Sequence, residues 1–259
     1  TRKSDQCTLI LTEGDSAKTM AIAGLSEVGR DYYGVFPLRG KLLNVKDADI
    51  NQIVKNAEIS NIKKILGLKS GETYTNELNP WPLRYGKLII MTDQDVDGSH
   101  IKGLVMNVFH SHWRSLLQMN FITSLLTPIV KVTKGKKVFS FYTLTDYENW
   151  KSKTNNGKGW KIKYYKGLGT STTKEAKEYF KRMKLVTYNW DSTYSDNAID
   201  LAFNKKRADD RKNWLNTYDR EEILDSKVVN VTYDNFINKD FIHFSNYNII
   251  RSIPTLMDG

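Results

Sequence analysis

The chain has 259 residues, 40% of them hydrophobic and 26% charged, a balance that suits a globular protein and excludes wholesale disorder. No apolar run nears the roughly 18 residues a membrane span needs, no secretory signal pattern opens the chain, and the single cysteine, Cys7, excludes a disulfide framework or a cysteine-built zinc site. The net charge of +10 is concentrated: 15 Lys/Arg against 4 Asp/Glu lie between Lys131 and Lys184, so that stretch carries +11 and the remainder −1. Such a field suits a polyanion, with a solvated lysine face as the plain alternative. A reducing, intracellular setting is the default expectation.

In chain order, Cys7 to Thr12 is a short apolar, β-branched run and predicts a buried strand. Glu13-Gly-Asp-Ser-Ala17 follows, then a helix to about Val28. Tyr33 to Leu38 predicts a second strand. Asp47 or Asp49 is a candidate cap for helices running to about Leu68, and 69–82 is a polar loop. Lys87 to Thr92 predicts another buried strand. A long helix is expected from Ser99, since Ile101, Leu104, Val105, Val108, Phe109 and Leu116 recur at helical spacing. Phe121 to Val132 and Val138 to Thr143 predict strands, and 172–183 and 205–218 predict helices. Strands alternating with helices imply an α/β domain with a mainly parallel sheet.

The strongest chemical signal is Asp93-x-Asp95-x-Asp97-Gly98, directly after an apolar strand. Alternate residues of an extended chain point the same way, about 6.5 Å apart. Carboxylates that close repel one another and suit a hard divalent cation. An EF-hand also begins this way, but it needs a bidentate Glu at its twelfth position, where Leu104 stands, and a helix where this chain has a strand. Turn aspartates that merely cap a helix are the structural alternative. Glu13 likewise follows a buried strand and precedes a helix, and ligands of open α/β sheets collect at the carboxyl ends of strands. The chain has no P-loop and no G-x-G-x-x-G. His110 and His112 lie two apart on a helix and face different ways.

Glu13-Gly-Asp-Ser-Ala17 together with Asp93-x-Asp95-x-Asp97-Gly-Ser-His100 resembles the TOPRIM signature of topoisomerases. Pro37 to Val45 and Tyr164-Tyr-Lys-Gly-Leu-Gly-Thr170 resemble motifs of the type IIA enzymes. Leu83 to Gly86, Met91 to Asp95, Ile101 to Gly103 and Asp209 to Lys212 are similar to the eukaryotic topoisomerase II version. Asp234 to Lys239 and Arg251 to Pro254 resemble the approach to that family's winged-helix region. Val96 departs from the histidine common in eukaryotic members.

The resemblance implies a TOPRIM, Rossmann-like sheet flanked by helices over residues 1–128, a basic extension over 129–227, and the start of a winged-helix region over 228–259. It implies an ATP-dependent enzyme that cuts and reseals both strands of duplex DNA, acting as a nuclear homodimer with no membrane association. Glu13, Asp93 and Asp95 would be catalytic and would bind Mg²⁺ (Mn²⁺ or Ca²⁺ substituting), with Asp97 an auxiliary ligand and Glu13 a candidate proton carrier. Arg39, Lys41, Asn44, Lys102, Lys166, Lys205 and Lys206 fall on positions expected to contact DNA. The family's nucleophilic tyrosine and its ATPase region have no counterpart here, so this chain alone is expected to be inactive. A TOPRIM-type nuclease or primase and a non-catalytic nucleic-acid-binding module are the competing expectations.

Overall fold

The structure, a computed structural model, describes residues 3–78, 81–217 and 230–237. Nine strands among them form two sheets. In the first, β1 (Thr8–Glu13) pairs in parallel with β2 (Tyr33–Leu38) on one side and β3 (Lys87–Met91) on the other, and β3 pairs in parallel with β4 (Ile122–Leu125). β8 (Leu185–Asn189) then joins β4 antiparallel, and β9 (Asn230–Thr232) joins β8 in parallel. The order is β2-β1-β3-β4-β8-β9.

The central strands are continuous apolar runs because both faces are covered. Leu9, Leu11, Leu88 and Ile90 enter one core, and Ile10, Ile89 and Met91 enter the other. The first core packs under α3 (Ala57–Leu66), α4 (Val96–His112) and α8 (Ser192–Phe203); the second packs under α1 (Gly14–Val28) and α7 (Thr173–Lys181). Asp49 caps α2 (Ile50–Lys55) through a reciprocal capping box with Gln52, and Asn56 caps α3. Asp47 is spent elsewhere, accepting from Asn44 and from the Lys205 N–H.

The second sheet is antiparallel, in the order β6 (Lys137–Phe141), β5 (Val130–Lys134), β7 (Lys161–Tyr164). Val130, Val132, Phe141, Trp150, Trp160 and Ile162 pack with Tyr147 of α6 (Leu144–Lys153) into a small third core. Hydrogen bonding to Tyr164 and burial push the Tyr147 hydroxyl up to about 12, burial being the larger cause.

Three expectations need correction. The strand expected over 121–132 is two strands in two sheets. The Leu126 N–H goes to Lys184 and the Ile129 N–H to Phe141, so the chain changes partner around Pro128, which has no N–H to give. The long helix begins at Val96, three residues before Ser99, and ends at His112; Leu116 lies on a separate short helix, α5 (Arg114–Gln118). The helix expected over 205–218 is a 3-10 turn, Lys205–Arg207, followed by α9 (Ala208–Asn216), and Tyr218 lies outside the described residues. Of the segment expected to begin a winged helix, 228–229 and 238–259 lie outside the described residues; Asn230–Thr232 is β9 of the first sheet, and a short helical turn, α10 (Tyr233–Asn235), follows it.

Candidate metal centre

Parallel pairing of β1 with β3 sets Thr12 opposite Met91, so both strands release their next residues at the same edge of the sheet. The Asp93 N–H donates to the Glu13 carboxylate at 3.1 Å. Asp93 Oδ1 in turn accepts the Leu168 N–H at 2.6 Å. Asp95 is extended (φ −138°, ψ −175°) and caps α4 by accepting the Gly98 N–H at 2.8 Å. Asp97 stands in the first turn of α4 and pairs with Lys41 at 2.7 Å. The extended-chain argument for three aligned aspartates therefore stops at Asp95, because Asp97 is already helical.

Burial pushes the Glu13 carboxyl above its ordinary range; the Asp93 N–H opposes this, and the charges of Asp93, Asp95 and Asp97 add to it. Asp93 is also pushed up, by burial first and then by Asp95, against the pull of the Leu168 N–H. An oxygen-only donor set whose members repel one another fits a hard divalent cation. Each carboxylate is meanwhile held by a protein group, and among the described residues no three His, Cys, Asp or Glu side chains close into a complete ligand group.

Two glycines make the crowding around Asp93 possible. A Cβ on Gly98 would overlap the Asp93 carbonyl, and one on Gly167 would overlap the Asp93 carboxylate. Only a bare backbone lets the 166–170 turn deliver the Leu168 N–H. Glu175, in the first turn of α7, anchors that turn from behind. It accepts from Lys163 Nζ (2.9 and 2.7 Å), Tyr165 Oη (2.5 Å), the Thr172 N–H (2.8 Å) and Thr172 Oγ1 (3.0 Å). Burial alone would raise its carboxyl; the Lys163 and other hydrogen bonds override that and hold it at about 2. Sequence reasoning missed Glu175, although Thr172-x-x-Glu175 is a legible capping box.

Arg39 and Lys41 follow β2 at the same edge, and both are exposed. Asn44 is spent inside the protein: its amide donates to the Phe203 carbonyl (2.8 Å) and to Asp47 (3.1 Å), and its oxygen accepts from Asn107 (2.8 Å). These bonds, with Lys46–Asp200 at 3.3 Å and Lys205 N–H to Asp47 at 2.8 Å, dock 203–205 onto 44–47. The structure thus joins two segments that are 159 residues apart in sequence, and leaves the Lys205 and Lys206 side chains exposed beside them. Lys166 is exposed on the 166–170 turn. Lys102, another candidate DNA contact, is buried within α4 at 6% exposure, unlike the exposed lysines of that set.

Residues 8–125 match the Toprim domain and residues 125–249 match the C-terminal associated domain of TOPRIM. The chain is 54% identical over 272 aligned positions to DNA topoisomerase 2-alpha of Homo sapiens, and 53% identical over 273 to DNA topoisomerase 2 top-2 of Caenorhabditis elegans. All of this chain is covered in both alignments, but it spans only 18% of either relative. Among solved structures it resembles the Plasmodium falciparum topoisomerase II DNA-binding, cleavage and re-ligation domain, with a TM-score of 0.92 and 52% identity, over 100% of this chain and 35% of that one.

Proposed function

The chain belongs to the Toprim family in the form carried by eukaryotic DNA topoisomerase 2, and on that premise we propose that it is the metal-holding part of an ATP-dependent type II topoisomerase that cuts and reseals both strands of duplex DNA. One observation carries this reading: the hydrogen-bonded meeting of Glu13 and Asp93 where β1 and β3 end, with Asp95 and Asp97 close enough to raise the Glu13 carboxyl. Glu13, Asp93 and Asp95 would hold Mg²⁺, or Mn²⁺ or Ca²⁺ in its place, with Asp97 in support. When bound, the ion supplies positive charge to the 3′ oxygen of the scissile phosphodiester as that oxygen leaves or attacks.

The protein's own part is positioning. The Leu168 N–H fixes Asp93, and Gly167 admits it. Lys41, held at the edge by Asp97, and exposed Arg39 would carry the phosphates next to the scissile bond, with Lys205, Lys206 and Lys166 extending the track. Asn44 would serve that track by docking its two segments together. The attacking tyrosine and the ATPase would come from other parts of a nuclear, homodimeric enzyme.

Calorimetric titration with Mn²⁺ tests the metal assignment. The wild-type chain should give a saturable signal that Asp93→Ala abolishes, with duplex affinity changed by less than about threefold, because phosphate contacts dominate affinity. A wild-type chain that binds no Mn²⁺ would overturn the assignment. The same result would favour the second reading, a non-catalytic nucleic-acid module whose acidic cluster is structural, to which the protein donor on every carboxylate points.

A further inference from the structure

The 15 basic residues between Lys131 and Lys184 are used unequally. On the face of the second sheet that meets α7, two of them are neutralised: Lys131 pairs with Glu178 at 2.8 Å and Lys163, its neighbour across the strands, with Glu175 at 2.7 Å. Lys151 pairs with Glu148 on α6, and Lys177 with Glu27 on α1. At the far end of that sheet the pairing stops. Gly135 turns β5 into β6 and sets Lys134 directly opposite Lys137, with Lys136 in the turn between them. Lys161 opens β7 beside Thr133, and Lys158 precedes it. Lys134 Nζ lies 3.7 Å from where a Cβ on Gly159 would stand, which brings the hairpin turn over the 158–161 segment.

These five lysines are exposed, and among the described residues none forms an ion pair with a carboxylate. Like charges directly opposite across a β pair cost stability, and among the described residues no carboxylate offsets that cost; Lys134 has only the Trp160 ring beside it. Carboxylates neutralise Lys131 and Lys163 on the same sheet, and none pairs with the five lysines here, so the hairpin end presents a cluster of like charge.

We propose that this hairpin end is a further nucleic-acid site that grips the phosphate backbone of duplex DNA through Lys134, Lys136, Lys137, Lys158 and Lys161. Lysine ammonium groups are hydrated point charges suited to phosphate. Trp160 is the ring nearest the cluster, and Lys134 (5.9 Å to its centroid) and Phe139 (5.5 Å) cover it, which leaves Phe139, 45% exposed, as a lone ring too isolated to stack a run of unpaired bases. Backbone contact with a duplex follows, and it adds a surface to the Arg39–Lys41 edge without depending on the metal assignment.

The test is anisotropy of a labelled 30-base-pair duplex across a salt series. It compares the wild-type chain with Lys134→Gln/Lys136→Gln/Lys137→Gln and with a control, Lys55→Gln/Lys64→Gln/Lys69→Gln, which removes the same charge from exposed positions elsewhere. The hairpin variant should lower the log–log salt slope by roughly 2 to 3 and weaken binding at least about tenfold near 0.1 M salt, with the control close to wild type. A melting curve checks folding; the hairpin variant should melt close to wild type, since the repulsion removed and the Lys134 contact with the Trp160 ring lost oppose each other. Equal losses in both variants, or no loss in the hairpin variant, would overturn the proposal. So would competition by a single strand or by polyglutamate as effective as that by the duplex. An Arg39→Gln/Lys41→Gln variant separates the two ideas: loss there without loss at the hairpin leaves the proposed function standing and removes this one.

Discussion

Replacing Glu175 with glutamine removes the charge that gathers four donors behind the 166–170 turn. The carboxyl stands at about 2 in the folded protein against an ordinary 4.5. At about 1.4 kcal/mol per unit, that difference sets a ceiling of roughly 3 kcal/mol. The carboxylate side chain is only 14% exposed, but its Lys163 partner is 38% exposed, so solvent screening brings the expected value nearer 2 kcal/mol, as an order of magnitude. Because the folded carboxyl titrates below the unfolded one, its stabilisation is complete above about pH 4.5 and disappears as the pH falls toward about 2. Thermal melting in the range where unfolding is reversible gives the assay. Near pH 7, Glu175→Gln should melt roughly 4–8 °C below wild type, at 2–4 °C per kcal/mol for a chain of this size, and the two curves should converge on acidification below about pH 4. A gap that stays constant down to about pH 2 would refute the reasoning, and so would wild-type melting of the variant at neutral pH. Manganese affinity supplies the functional half, since a loosened turn no longer fixes Asp93 through Leu168.

Asp93→Asn should stabilise the metal-free chain at neutral pH while abolishing the stabilisation that added Mn²⁺ gives to wild type. Burial and Asp95 raise the Asp93 carboxyl, so folding disfavours its charged form and stability is gained as pH falls through the raised value; melting with and without Mn²⁺ shows both, and a destabilised apo variant would count against it. Gly167→Ala puts a methyl into the Asp93 carboxylate. Displacing one ligand-orienting contact should weaken Mn²⁺ binding by roughly 10- to 100-fold with a smaller change in melting, and calorimetry showing wild-type affinity would contradict the crowding argument.

Much of the fold is legible because the central strands are apolar on both faces. Cys7 to Thr12, Tyr33 to Leu38 and Lys87 to Thr92 appear within a residue or so of their expected limits. What the pattern hides is partnership. Phe121 to Val132 reads as one β-rich stretch, yet it serves two sheets. Leu185–Asn189 is short and only half-buried, so nothing local marks it as the strand that covers β4. The meeting of Glu13 with Asp93 is anticipated by the rule for strand ends, whereas the inward use of Asn44 depends on contacts with Asn107 of α4 and Phe203 of α8 that no local pattern carries.

Glu13 and Asp93 are 80 residues apart along the chain, and Asp93 and Leu168 another 75. Loops of that length are slow to close, and no short peptide cut from the chain could contain all three groups. The acidic cluster therefore depends on the parallel pairing of β1 with β3 and on the docking of the 166–170 turn. Mutual repulsion among its carboxylates is expected to loosen that corner relative to the rest of the sheet. A divalent ion arriving there would act as a clasp on the finished sheet, so its protection against exchange of the Asp93 and Leu168 amide hydrogens should report directly on whether the corner is shut.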